Sequence, residues 1–149
     1  MILYKNEYVM SELKLAQCHC GTVKFTVQLS DGFNTIRRCN CSFCRMRGAI
    51  AVSAPLSGIN VYEGKEKLTE YRFNTRQAVH YFCSICGIYT FHQRRSNPEQ
   101  FGINVACIVD VSPFDFTKLP IMDGINHPKD GGGGIIGYLN YETLKKRSF

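Results

Sequence analysis

The chain has 149 residues, of which 44% are hydrophobic and 20% charged, with a formal net charge of +6. That length fits one domain with a real hydrophobic core, and no apolar run is long enough for a membrane-spanning helix. The basic residues sit in short local pairs such as Arg37-Arg38 and Arg94-Arg95 rather than in the dense stripe of a nucleic-acid binder.

Residues 1–13 read as an N-terminal extension ahead of a single domain at 14–149. The first seventeen residues interleave charges with apolar side chains and lack a continuous apolar stretch, so they do not read as a secretory signal. A cytoplasmic location with reduced thiols is the expectation. Thr22–Leu29 alternates Val23, Phe25, Val27 and Leu29 with Lys24, Thr26 and Gln28, the pattern of a half-buried strand. Ala49–Ala54, Ile59–Tyr62, Lys67–Asn74, Gln77–Cys83, Ile88–Gln93 and Phe101–Ala106 follow as short strands with turn residues between them. Ser112-Pro113 opens one helical turn over Phe114–Lys118. After about residue 112 the chain reads as loop-rich, and Gly131–Gly134 reads as a flexible surface loop. No Lys-Ser/Thr ending follows that glycine run, so it is not a phosphate-binding loop. The expected fold class is mainly β, built of antiparallel sheets.

Eight cysteines are the unusual feature, and seven fall in three clusters. Cys18-His19-Cys20-Gly21 is C-x-C-G, Cys39 to Cys44 is C-x-C-x-x-C, and Cys83-Ser84-Ile85-Cys86-Gly87 is C-x-x-C-G. Residues two apart in an extended segment share a face, and a C-x-x-C turn closed by Gly wraps around a metal. Cys18, Cys20, Cys83 and Cys86 make a complete four-sulfur set, as in structural zinc sites. Cys39, Cys41 and Cys44 supply three ligands, which leaves a fourth position for water or substrate. Disulfides, a single zinc ribbon and an iron–sulfur cluster are weaker readings of the same spacings. Closure of the second site by Cys107 or a histidine stays open, and Cys107 otherwise reads as a buried strand residue. Seven thiolates and two zinc ions would reduce the net charge to about +3.

The order of the three clusters resembles the glutathione-dependent formaldehyde-activating family, which includes centromere protein V. The segments CHCGTVKFTV, RCNCSFCRMRGA, YFCSICGIYTF and FGINVAC carry the likeness, as does Met122–His127. The resemblance implies an Mss4-like β-tent stapled by zinc. It also implies Cys18, Cys20, Cys83 and Cys86 as the structural ligands and Cys39, Cys41 and Cys44 as the catalytic set. The implied reaction joins glutathione to formaldehyde, a carbon–sulfur lyase reaction in reverse. Expected partners are thus a small thiol such as glutathione and a small aldehyde. Arg37, Arg38, Arg45 and Arg47 flank the central cluster and could serve an anionic thiol. His19, His80 and His92 read as structural, and His127 as a residue able to carry a proton. A glutathione carrier and a zinc module that binds a protein or nucleic acid are the alternatives.

Overall fold

A computed structural model of the chain describes residues 12–142. Most of the extension expected at 1–13 therefore lies outside the described residues. The fold is mainly β, with eleven strands and one four-residue helix among the described residues.

Strands β1 (Lys14–Gln17), β2 (Lys24–Val27) and β5 (Ile59–Glu63) form one antiparallel sheet in the order β1-β2-β5. A five-stranded antiparallel sheet takes the order β4-β9-β8-β7-β6. Its members are β4 (Ala51–Pro55), β6 (Leu68–Tyr71), β7 (Val79–Cys83), β8 (Tyr89–Gln93) and β9 (Gln100–Asn104). The third sheet is β11-β10-β3, from β3 (Arg38–Cys39), β10 (Lys118–Met122) and β11 (Ile135–Asn140).

The alternation in β2 does what its pattern predicts. Phe25 and Val27 are fully buried while Lys24 and Thr26 are half-buried. Phe25 meets Phe91 of the large sheet edge-to-face at 5.3 Å, and Val23, Val52, Ile103, Val105 and Leu119 complete the centre of the core. Burial of side chains of this size contributes about 1.5–3 kcal/mol each.

Several elements differ from the sequence expectation. β1, β10 and β11 lie where no strand was expected, the latter two within the segment read as loop-rich. The helical turn after Ser112 is shorter than expected, a 3-10 turn at Pro113–Asp115 closed by a capping box between Ser112 and Asp115. β9 stops at Asn104, so Cys107 sits in a 3-10 turn rather than in a strand, although it is buried as expected. The glycine run is not a free loop. A Cβ on Gly132 would meet the Asn126 backbone and one on Gly133 would meet the Pro128 ring, so both are packed against the preceding turn.

One pairing positions the site. β3 and β10 run parallel, with Ile121 opposite Arg38 and Met122 opposite Cys39. This brings the loop that follows Met122 over the central cysteine cluster, where Asn40 Oδ1 accepts from the Gly124 N–H at 2.8 Å.

Candidate metal centres and their cavity

The first cluster joins the start of the domain to the β7–β8 turn. Gly21 and Gly87 follow the two half-sites with φ of 76° and 77°, the left-handed region that lets the chain turn away from a ligand. The sulfurs of Cys18, Cys20, Cys83 and Cys86 all lie within 4.8 Å of one another. Cys18 and Cys20 Sγ are 3.6 Å apart, and Cys20 and Cys83 Sγ 3.8 Å. Sulfurs placed tetrahedrally about 2.3 Å from a metal would be about 3.8 Å apart, so this donor set fits a four-thiolate centre. The N–H groups of Val23 and Ile85 donate to Cys18 and Cys83 Sγ at 3.3 and 3.4 Å, as suits anionic sulfur. Burial pushes the Cys18 thiol up to about 11, while hydrogen bonding with Thr22 brings the exposed Cys20 down to about 6.

The second cluster is local. Cys39 ends β3 and Cys44 begins the helix α1 (Cys44–Arg47), which Gly48 closes through its N–H to the Cys44 carbonyl. The sulfurs of Cys39, Cys41 and Cys44 lie within 4.8 Å of one another, and the described residues bring no fourth His, Cys, Asp or Glu into the group. Cys107 does not join it. Its Sγ faces the Tyr89 carbonyl at 3.4 Å, and burial pushes its thiol up to about 12. The N–H groups of Cys41 and Cys44 donate to Cys39 and Cys41 Sγ at 3.4 and 3.3 Å. Hydrogen bonds from Cys39 and Cys44 hold the Cys41 thiol far below its ordinary value, and the same contacts push Cys44 up.

This cluster forms part of the wall of a cavity of about 460 Å³. Arg37, Arg47, His80, His92, Arg94 and His127 line it as well. Arg47 is the hinge of the arrangement. Its Nη2 donates to Cys44 Sγ at 3.3 Å and its Nη1 to His80 Nδ1 at 3.0 Å, while the guanidinium lies 3.6 Å over the Tyr89 ring. His80 and His92 face each other across β7 and β8 with their rings stacked at 5.1 Å. Burial and then Arg47 hold the His80 imidazole down to about 4 and His92 well below its ordinary value, so both are neutral near pH 7. Tyr89 Oη donates to the Gly102 carbonyl at 3.0 Å and contacts His92 Nδ1.

Of the arginines flanking the cluster in sequence, Arg37 and Arg47 line the cavity, whereas Arg38 and Arg45 are not among its lining residues. His127 does reach the cavity, with Nδ1 accepting from the Lys129 N–H at 3.1 Å, and burial lowers its pKa. His80 and His92 are buried or half-buried strand residues as read, but they also face this space. Their part was hidden because it depends on the β7–β8 register, which no local pattern encodes.

The model of the glutathione-dependent formaldehyde-activating enzyme family matches residues 14–118. The chain belongs to that family. A crystal structure of a Rhodobacter sphaeroides protein, from structural genomics, is 55% identical with a TM-score of 0.71. That similarity covers 72% of this chain and 98% of the other. The match to the formaldehyde-activating family spans all three cysteine clusters. It ends at Lys118, before the 123–134 loop that covers the second cluster.

Proposed function

We infer that this protein joins a thiol, glutathione or a close relative, to formaldehyde or another small aldehyde, or catalyses the reverse. The reading places it among carbon–sulfur lyases acting in the cytoplasm. The observation that carries it is the three-sulfur cluster in the wall of the cavity. Cys18, Cys20, Cys83 and Cys86 would hold a structural zinc ion, and Cys39, Cys41 and Cys44 a second one beside the cavity. When bound, that second zinc would supply the positive charge that keeps the substrate sulfur deprotonated.

In the forward direction a carbon–sulfur bond forms as the carbonyl π-bond opens. The proton lost by the thiol ends on the new hydroxyl oxygen. Arg47 partly offsets the charge of three thiolates through its bond to Cys44 Sγ. By donating to His80 Nδ1 it also leaves the neutral ring's proton on Nε2. In this reading His80, which lines the cavity, serves as the donor to the oxygen that gains negative charge, and neutral His127 as a second proton carrier there. The loop at Asp123–Gly124 covers the cluster and limits access of water.

The test is turnover of 13C-formaldehyde with glutathione, followed by NMR of the hydroxymethyl adduct, alongside zinc content. Adduct formation above the uncatalysed rate, lost in Cys41→Ser with the fold retained, is the expected result. An uncatalysed rate from protein carrying two zinc ions would overturn the reading.

A further inference from the structure

Arg37 and Arg94 come from distant parts of the chain and meet on one hydroxyl. Arg37 Nη1 donates to Ser53 Oγ at 3.0 Å and to the Thr35 carbonyl at 2.9 Å. Arg94 Nη1 donates to the same Ser53 Oγ at 3.3 Å and to Gln100 Oε1 at 2.7 Å, and its Nη2 to Ser96 Oγ at 3.1 Å. Every one of these acceptors is neutral. Among the described residues, no ion pair involves Arg37, Arg47 or Arg94. Arg95, the neighbour of Arg94, is by contrast paired to Asp130 at 3.0 Å.

Two guanidiniums on one buried serine are an expensive way to satisfy a hydroxyl. A neutral donor would serve as well, without the desolvation of charge and without the mutual repulsion. Arg37 Nη2 and Nε make no hydrogen bond among the described residues, and both arginines line the cavity that the Cys39 cluster enters. An anion seated there would take up the unused donors and relieve the repulsion. The planar fork of a guanidinium suits a carboxylate.

We propose that Arg37 and Arg94, bridged by Ser53, form a carboxylate subsite that makes the cavity select a reactant bearing a carboxylate. The assignment rests on the inferred thiol–aldehyde reaction. The carboxylate belongs either to the thiol or to the carbonyl partner. With glyoxylate as the carbonyl, the thiol sulfur would bond to the aldehyde carbon and the thiol proton would end on the new hydroxyl.

The experiment is calorimetric binding of S-methylglutathione and of its diethyl ester to the zinc-loaded protein. The methyl group caps the sulfur, so this readout is independent of thiol chemistry. The acid should bind wild type at least about tenfold more tightly than the ester, as expected for charge-assisted hydrogen bonds. Arg94→Gln should bring the two to within about threefold by removing one fork, and Arg94→Lys should restore part of the preference. A second arm compares glyoxylate with formaldehyde as partners of 2-mercaptoethanol. Acid preference in the first arm assigns the carboxylate to the thiol. A glyoxylate preference that Arg94→Gln removes assigns it to the carbonyl partner. No acid preference in either arm in wild type overturns the proposal, whatever the variants do, and so does a preference that Arg94→Gln leaves intact in a folded protein. Acid-selective binding without adduct formation would uphold the subsite and refute the inferred reaction.

Discussion

Gly124 lies so close to Cys39 that a Cβ at position 124 would overlap Cys39 Sγ, well inside van der Waals contact, and it would also stand 2.9 Å from Cys41 Cβ. The loop after β10 is therefore moulded onto the second cluster, and the absence of a side chain is what permits the approach. Gly124→Ala should displace the loop or the sulfurs at a cost of about 1–3 kcal/mol, typical of overpacking. On the proposed assignment of one zinc ion to each cluster, zinc content should fall from about two ions per chain toward about one, because the four-cysteine cluster is untouched. Elemental analysis of the purified variant checks this. Retention of both ions with full turnover would mean that the contact is incidental.

The two clusters should respond differently to loss of one sulfur. Cys18 is buried and links β1 and β2 to the β7–β8 turn, so Cys18→Ser should cost folding free energy along with metal. Cys41→Ser removes a sulfur from a half-buried local cluster and should leave the fold intact while abolishing adduct formation. Thermal melting with and without a chelator, together with zinc analysis, separates the two cases.

His80 gives a pH signature. Its folded pKa of about 4 lies below the ordinary 6.5, because burial and then the Arg47 guanidinium disfavour the charged ring, with only Cys41 opposing. The unfolded chain therefore binds more protons between pH 6.5 and 4, and stability must fall as the pH is lowered through that window. The effect is of the order of 2 kcal/mol. His80→Asn keeps an acceptor for Arg47 but removes the titration. Plots of Tm against pH should be steeper for wild type than for His80→Asn between pH 6.5 and 4, since proton competition at the metal ligands acts on both. Parallel curves would refute the assignment.

Gly102 is constrained by His92 as tightly as Gly124 is by Cys39. A Cβ at 102 would fall on the His92 ring. Gly102→Ala should push the imidazole off Tyr89 and toward the cavity, destabilising the protein by about 1–3 kcal/mol. Turnover should fall as well, because the cavity wall moves. A shift of the His92 ring resonances in NMR is the direct readout, and unchanged resonances would show that the sheet absorbs the methyl group elsewhere.

The two sulfur clusters were legible because the spacing within each cysteine motif is local, three to six residues, and the structure brings those sulfurs together. β2 was legible because its alternation faces a core on one side only. β11 had no such pattern, since Ile135, Ile136, Tyr138 and Leu139 are all exposed and both faces carry apolar groups. β10 was masked by Pro120, which reads as a strand breaker but sits opposite Tyr138 in the ladder. The polar side of the cavity was the least legible part. His80, His92 and Arg94 each look like ordinary strand or turn residues, and only the pairing of β8 with β7 brings them to one side of the cavity.

The span of the four-cysteine centre also orders events in time. Cys20 and Cys83 are separated by 63 positions, whereas the whole Cys39 to Cys44 set occupies six consecutive residues. On a growing polypeptide, the short set emerges complete while the partner sulfurs of Cys18 and Cys20 are still unmade. It can capture an ion with almost no loop to close, while the larger centre must wait for both the distant segment and the closure of a long loop. Metal supply during synthesis would therefore be felt first at the cluster beside the cavity and last at the one that fastens the sheets.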